Sequence, residues 1–239
     1  MRLIWFNTGF LERYLPPVAL PIPKGPLKGK KWMPASGLKF FSGNFEPEKA
    51  AAIQRIVRRD DIVYDVGAHV GYFSVLMSAL VGPCGRVIAF EPHPRSFAQL
   101  LRHLALNGCR NVTAIQNCVG DDFRFCWFDT CGPSVAAHIS ANGDLAVEMV
   151  SLDSLLQLGQ IPAPTFMKID VEGAELLLLR GAEGLITRHR PVILIASHSE
   201  DLDEACCRFL SGRGYRLEAV TEFHGDRELL ASPEDAIPR

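Results

Sequence analysis

The stretch VYDVGAHVGYF (residues 63–73) combines an acid with two glycines at the end of an apolar, β-branched segment. A dinucleotide-binding turn needs three glycines, in the pattern G-x-G-x-x-G, so that the backbone can approach a pyrophosphate. This turn has Gly67 and Gly71 alone, and Asp65 would repel a pyrophosphate, which disfavours an NAD-dependent enzyme. A carboxylate in this place favours a ligand that carries an ammonium or sulfonium group.

A second acid, Glu91, ends the next predicted strand, roughly 20 residues past the turn. An acid in this position accepts hydrogen bonds from a ribose diol. A ligand with a ribose and a positive charge but no phosphate points to S-adenosylmethionine as the cofactor. Asp65 could instead cap a helix or form a turn, and both glycines could serve close packing between a strand and a helix.

The stretch MKIDVEGAE (residues 167–175) has three charged residues at the end of another apolar segment. Lys168 and Asp170 share one face of the predicted strand, and Glu172 belongs to the turn that follows. In a doubly wound sheet this strand lies beside the first one, which predicts Asp170 near the reactive methyl group of the cofactor. The alternative is a salt bridge between Lys168 and Asp170 that only orders the strand end.

The composition limits the class of protein. The chain has 239 residues, a formal net charge of −2 and a pI near 6.4, so no nucleic-acid partner is expected. Seven scattered cysteines without a C-x-x-C pair favour a reduced, cytoplasmic location over a disulfide framework or a zinc site. No apolar run is long enough to predict a transmembrane segment.

Strand and helix patterns alternate from Ile62 onward, which predicts an α/β fold with a mostly parallel, doubly wound sheet. Residues 1–45 are expected to form an N-terminal extension, and residues 46–239 the main domain. Between about 121 and 150, short apolar alternations and the Asn142-Gly143 turn predict an inserted antiparallel β segment.

Several finer assignments depend on local patterns. A helix is predicted from Glu46 to Arg59, and GAELLLLRGAEGLITRH (residues 173–189) is assigned as one helix. VTAIQNCVG (residues 112–120) is assigned as one strand and YRLEAV (residues 215–220) as the last strand. His103 is expected on the surface of a helix.

Five motifs together resemble the FkbM family of S-adenosylmethionine-dependent methyltransferases: VYDVGAHVGYFS, FEPHP, VSLDSLL, MKIDVEGAELLLLRGA and RPVIL. The resemblance covers roughly residues 43–198. It implies a class I, Rossmann-like methyltransferase fold with a seven-stranded sheet and S-adenosylmethionine as the cofactor. It also implies that the methyl acceptor is a hydroxyl oxygen of a sugar, a glycan or a natural product.

The resemblance assigns cofactor-binding residues motif by motif. The residues that it implies are Asp65, Gly67, Ala68, His69, Gly71, Glu91, Pro92, Cys118, Val119 and Asp121. Two positions depart from the family pattern. His69 stands where asparagine is commoner, and Ala196 stands where a glutamate is expected, so this member is expected to differ in substrate or activity.

Methylation of an alcohol releases a proton, so a positioned base assists the reaction. Asp170 is the first candidate for this base, followed by Glu172 and His198. The same three side chains could instead hold a divalent metal ion that binds a substrate hydroxyl, although a metal-free site is the prediction. A non-catalytic module that only binds the nucleoside is the other alternative, and Ala196 is the residue that suggests it.

The acceptor pocket is expected to form from residues 1–45 and 121–150, which are irregular in pattern. Several aromatic residues there could stack on a sugar ring, although such residues more often belong to a local core. They are Trp5, Trp32, Phe40, Phe41 and Trp127.

Overall fold

The computed structural model describes residues 18–129, 138–139, 143–223 and 226–235. Trp5 and Asn142 lie outside these residues. In chain order the strands are β1 (Leu20–Pro21), β2 (Lys31–Trp32), β3 (Ile62–Val66), β4 (Arg86–Phe90), β5 (Val112–Ile115), β6 (Cys118–Val119), β7 (Arg124–Asp129), β8 (His138–Ile139), β9 (Leu145–Val150), β10 (Phe166–Ile169), β11 (Val192–Ser197), β12 (Tyr215–Phe223) and β13 (Asp226–Pro233).

The helices lie between these strands. They are α1 (Pro47–Ile56), α2 (Tyr72–Val81), α3 (Pro94–Leu106), α4 (Leu152–Gln157), α5 (Glu175–Gly181), α6 (Glu183–His189) and α7 (Glu200–Ser211), with short 3-10 turns at Pro34–Ser36 and Leu38–Ser42. Within the described ranges, none of the helices combines the length and the apolar character that crossing a membrane would require.

The central sheet has seven strands in the order β12-β13-β11-β10-β3-β4-β5. The five strands from β11 to β5 are parallel, and β13 runs antiparallel to both of its neighbours. The strand order reverses between β3 and β10, and ligands bind in such sheets at the carboxyl ends of the strands beside this reversal. The predicted doubly wound, mostly parallel sheet is confirmed.

A second sheet of four strands, in the order β6-β9-β7-β8, packs beside the first. Strands β7 and β9 are antiparallel, with Trp127 opposite Ala146, which confirms the inserted antiparallel segment. The inner face of this sheet buries Cys118, Phe128 and Met149. Trp127 is on the opposite face and is 52% exposed.

Three local assignments were wrong, and one strand was missed. The predicted strand at 112–120 divides, because β5 joins the central sheet and β6 joins the second one. The helix predicted over 173–189 breaks at Ala182, where Gly181 allows the backbone of Gly120 to approach more closely than a Cβ atom would permit. Helix α1 ends at Ile56 rather than Arg59. Strand β13, whose leading residues are charged, had not been assigned.

The chain before α1 packs against helices α2 and α3. Ile22, Leu27, Trp32 and Phe40 from this part are all buried in the same apolar cluster as the central sheet. Although it contains little regular structure, this segment therefore covers helices α2 and α3 and extends the apolar core on their side of the sheet.

His103 of α3 holds this segment in place, and its predicted surface position was wrong because the segment covers it. Its ring is fully buried and stacks on Trp32, with 3.6 Å between the ring centroids. Nδ1 lies 2.7 Å from the Val70 carbonyl oxygen, and Nε2 accepts a hydrogen bond from the Met33 N–H at 3.2 Å. These partners require a neutral ring with the proton on Nδ1.

We expect acid to weaken the fold through His103. Burial, the largest cause, lowers the pKa of His103 from 6.5 to about 4. The unfolded chain therefore binds a proton more readily than the native protein does, and stability falls as the pH drops from 6.5 towards 4. The loss is about 3 kcal/mol for this group. Urea denaturation between pH 7 and pH 4 measures it.

The matched variants for this experiment are His103→Gln and His189→Gln. Glutamine can donate to one backbone partner and accept from the other without gaining a charge, so His103→Gln should show the shallower pH dependence. His189 is exposed, so the His189→Gln variant should show the same pH dependence of stability as the wild type. Equal pH dependence in all three proteins would contradict this role for His103.

Candidate active site

A cavity of about 510 Å³ lies at the carboxyl ends of β3, β4, β10 and β11. Its volume is within the range of small-molecule sites. The predicted site residues that line it are Gly67, Ala68, His69, Glu91, Pro92, Cys118, Val119, Asp170, Glu172 and His198. Of the remaining predicted residues, Asp65, Gly71 and Asp121 do not reach the wall that the described residues form.

The turn after β3 requires glycine at two places. Gly67 and Gly71 have φ values of 78° and 91°, which L-residues with side chains rarely adopt. A Cβ atom on Gly67 would collide with the Asp170 carbonyl oxygen, and one on Gly71 would crowd Leu100. Gly67 therefore brings the turn against the end of β10, and Gly71 begins α2 against α3.

Asp65 lies beneath this turn and is completely buried. The Ser74 hydroxyl donates to its Oδ2 at 2.6 Å, and the Lys168 ammonium lies 3.1 Å from its Oδ1. Lys168 also donates to the Gly67 carbonyl oxygen at 3.0 Å. Lys168 therefore neutralises the Asp65 carboxylate, and the pair holds the turn in place. The sequence analysis expected Asp65 to attract a cationic ligand directly, and the structure shows a different arrangement.

Glu91 has its carboxylate at the cavity wall and accepts two backbone hydrogen bonds. The His69 N–H donates to Oε2 at 2.7 Å, and the His93 N–H donates to Oε1 at 2.8 Å. Each oxygen keeps a second lone pair for a ligand. Burial, the largest cause, raises the pKa of Glu91 to about 7, so donors from a ligand would shift it towards the ionised form.

His69 shapes the wall beside Glu91. Its φ of 49° is unusual for a residue with a side chain, and this conformation directs its N–H at Glu91. Burial, followed by the charges of Lys39 and Lys168, lowers the pKa of His69 to about 3. The ring is neutral at physiological pH and adds no charge to the cavity.

The wall on the side of the second sheet is mostly apolar. Cys118 and Val119 line it together with Phe90 and Phe128, which suits the face of a flat ring. Asp121 pairs instead with Arg124, at 2.6 Å, on the partly exposed surface. Of the aromatic residues considered for an acceptor pocket, Phe40 lines the cavity, whereas Trp32 is buried beneath it.

Lys49 of α1 is at the centre of an ionic cluster that the sequence analysis missed. Its ammonium lies 2.6 Å from Glu46 Oε2, 2.8 Å from Asp170 Oδ2 and 2.8 Å from Glu228 Oε1. Burial opposes its charge, but the three carboxylates outweigh burial and raise the pKa of Lys49 well above its ordinary value. The sequence did contain a signal for this position. Lys49 lies three residues before the buried Ala52 and four before the buried Ile53, which places it on the buried face of the helix.

Glu228 of β13 lies opposite Ala196 at the cavity wall. Ala196 lines the cavity, and its partner in the antiparallel register of β11 and β13 is Glu228. Residues opposite each other in such a pair point to the same face of the sheet. Glu228 therefore places a carboxylate beside the position on β11 where the resemblance implies a glutamate.

Asp170 is ionised and strongly paired. Burial opposes its charge, but Lys49 and then Lys168 outweigh burial and hold the pKa of Asp170 well below its usual range. A carboxylate with so low a pKa accepts a proton poorly. This weighs against Asp170 as the first candidate for a general base, although its place at the end of β10 agrees with the prediction.

His198 completes the site from the end of β11. Its Nδ1 lies 2.7 Å from Oε1 of the fully buried Glu175, and its Nε2 lies 3.5 Å from both Asp170 Oδ1 and Glu172 Oε2. Burial opposes its charge, but the hydrogen bond to Glu175 and the nearby carboxylates raise the pKa of His198 to about 9. The three predicted catalytic residues therefore meet at His198, with Glu175 as a partner that the sequence analysis missed.

Comparison with known proteins gives a consistent result. A profile of the family described as "Methyltransferase FkbM domain" matches residues 65–217, more than half of the chain. The chain is 30% identical over 127 residues to the protein named hexuronic acid methyltransferase AglP from Haloferax volcanii, and the match covers 51% of this chain and 50% of that relative.

Solved structures share the fold. Methyltransferase FkbM from Methylobacillus flagellatus KT aligns with a TM-score of 0.54 and 19% identity over 82% of this chain and 53% of that one. Aeropyrum pernix fibrillarin, in complex with natively bound S-adenosyl-L-methionine, aligns with a TM-score of 0.52 and 17% identity over 77% of this chain and 73% of that one. The class I methyltransferase fold is confirmed, and this chain spans about half the length of the first two relatives.

We expect Lys168→Met to cost about 3–5 kcal/mol of unfolding free energy, because it leaves the buried Asp65 carboxylate without its partner. Adding Asp65→Asn should recover at least about 1 kcal/mol, since the uncompensated charge is then removed. Urea denaturation of the two single variants and the double variant measures this coupling. Lys28→Met, which removes an exposed lysine, serves as the control. Strictly additive costs would show that the two charges do not interact.

Proposed function

The chain belongs to the FkbM methyltransferase family, and we propose that it transfers the methyl group of S-adenosylmethionine to a hydroxyl oxygen of a sugar or glycan. The observation that carries this proposal is the convergence of Glu91 and Asp170 on one cavity, at the carboxyl ends of β4 and β10, the two parallel strands on either side of β3. Glu91 suits a ribose, and Asp170 lies where the acceptor oxygen and the methyl group would meet.

The residues present suit the cofactor in size and chemistry. Glu91 would accept hydrogen bonds from the ribose hydroxyls through its remaining lone pairs. Cys118, Val119 and Phe128 would contact the adenine with apolar surface. The glycine turn at 67–71, tied down by Lys168 and Asp65, would contact the methionine part. The cofactor supplies a methyl group on a sulfonium, which is already a good leaving group.

The protein then has two tasks in the reaction. It must hold the acceptor oxygen in line with the methyl carbon and sulfur, and such positioning can lower a barrier by about 7–11 kcal/mol. It must also receive the hydroxyl proton as the oxygen–carbon bond forms and the carbon–sulfur bond breaks. Glu172 would receive this proton, while Asp170, fixed in position by Lys49, and His198 would hold the acceptor hydroxyl beside it.

A sugar that carries a carboxylate is the acceptor class that we favour. The relative from Haloferax volcanii is named for hexuronic acid. Lys39 and Arg227 line the cavity of this chain, and their positive charges would favour a carboxylate on the acceptor, although Arg227 also pairs with Asp203 at 3.0 Å. Glu228 opposite Ala196 supports a catalytic member of the family over a module that only binds the nucleoside.

We predict methyl transfer from S-adenosylmethionine to oligosaccharides that contain a hexuronic acid, with much less transfer to neutral ones. Mass spectrometry of the product and release of S-adenosylhomocysteine measure it. Asp170→Asn should lower kcat at least about 100-fold while the Kd for S-adenosylhomocysteine stays within about threefold. Cofactor binding without transfer to any hydroxyl acceptor would contradict the proposed activity.

We also expect cofactor binding to release a proton from Glu91. With a pKa of about 7, about half of the free protein carries this proton at pH 7. Ribose hydroxyls that donate to Glu91 favour the ionised form, so affinity should rise as the pH rises through 7, with release of up to about 0.5 proton. Calorimetry with S-adenosylhomocysteine, in buffers of different ionisation enthalpy, counts the protons.

The controls for this measurement are Glu91→Gln, which should release no proton from this site, and Glu48→Gln, which alters an exposed acid and should match wild type. The same proton count for wild type and Glu91→Gln would mean that the ribose does not contact Glu91.

A further inference from the structure

We propose that Asp170, Glu172 and His198 form a binding site for a hard divalent cation of the Mg²⁺ or Mn²⁺ class. This goes beyond methyl transfer itself, and only the role of the cation towards the acceptor rests on the proposed function. The three side chains offer two carboxylate oxygens and one imidazole nitrogen, and these atoms all lie within 4.8 Å of one another.

The distances suit a shared ion. Nε2 of His198 is 3.5 Å from Asp170 Oδ1 and 3.5 Å from Glu172 Oε2. Ligands about 2.1 Å from one octahedral cation, at right angles to each other, are about 3 Å apart. Small side-chain movements therefore bring all three atoms into coordination, without any change in the backbone.

Glu175 orients the histidine as metal sites require. Its buried carboxylate holds Nδ1 of His198 at 2.7 Å, so Nδ1 keeps its proton, and Nε2, which faces Asp170 and Glu172, would release its proton to solvent when the cation binds. The Gly173 N–H donates to the same Glu175 oxygen at 3.0 Å and keeps it in place. A carboxylate behind a ligating histidine is the usual outer-shell arrangement of metal sites, and it fixes the tautomer.

The backbone at Glu172 is held in a costly conformation. Its φ is 50°, which is uncommon for a residue other than glycine, and this conformation brings the side chain to the cavity beside His198. Such strain concentrates at ligand-binding sites, where the surrounding structure maintains it. Asp170 uses Oδ2 for Lys49 and presents Oδ1 to the site, so it would bind as a monodentate ligand.

The charge of the surroundings also favours a cation. The carboxylates linked to the three ligands outnumber the ammonium groups, because Lys168 is shared with the buried Asp65, and Arg227 of the cavity wall is paired with Asp203. The carboxylates are Glu46, Asp170, Glu172, Glu175 and Glu228, and Lys49 pairs with three of them. A divalent ion bound by three protein ligands would keep open positions for water and an acceptor hydroxyl, whose proton it would make easier to remove.

The direct test is Mn²⁺ binding to the full chain without methyl donor or acceptor, after treatment with a chelator. We expect calorimetry to give one Mn²⁺ per chain, and pulsed paramagnetic resonance to detect a coupled imidazole nitrogen. Glu172→Gln and His198→Gln should each weaken Mn²⁺ binding at least about tenfold, and the nitrogen coupling should disappear in His198→Gln. Glu175→Gln should weaken binding about 10–100-fold through the orientation of His198.

The control variants are Glu48→Gln and Glu200→Gln, which remove exposed acids on α1 and α7 and should bind Mn²⁺ as wild type does. The Glu172 side chain is 37% exposed, so Glu172→Gln should keep the fold, which its affinity for S-adenosylhomocysteine verifies. Absence of Mn²⁺ binding, or equal binding by Glu172→Gln and wild type, would overturn the site. Methyl transfer that persists in chelator would overturn the role of the cation and leave the proposed function standing.

Discussion

The ion pair between Lys168 and Asp65 connects the two strands on which the whole site depends. These residues are opposite each other in the parallel register of β10 and β3, and both are buried. Lys168 also holds the Gly67 carbonyl, while Gly67 packs against the backbone of Asp170. The turn proposed to hold the cofactor and the strand end proposed to face the acceptor therefore form one rigid unit, because neither can move without exposing a buried charge.

A second group of charged residues packs against this unit, and its members are far apart in the sequence. Lys49 comes from the first helix and Glu228 from the last strand, and they meet at Asp170. Their pairing holds the carboxylate in the ionised state, which suits binding and positioning better than proton abstraction. Glu228 of β13 places a negative charge beside the cavity, opposite Ala196 of β11.

The architecture could be predicted from the sequence because the residue periods of helices and of strands are local patterns. Alternating strands and helices, and the inserted antiparallel segment, are encoded in neighbouring residues. Predictions that depended on distant contacts were less successful. His103 is buried because a segment some 70 residues earlier covers it, and Asp65 faces Lys168 instead of the cavity. Lys49, Glu175 and Glu228 acquire their roles only through strand order and register, which no local pattern contains.

The central claim is that a nucleoside lies on Glu91 and directs its reactive group towards Asp170. A crystal structure with S-adenosylhomocysteine tests it most directly. We expect both ribose hydroxyls within hydrogen-bonding distance of the Glu91 carboxylate, and the sulfur on the side of the cavity that faces Asp170 and His198. A nucleoside bound away from Glu91, or a sulfur directed away from Asp170, would contradict the account.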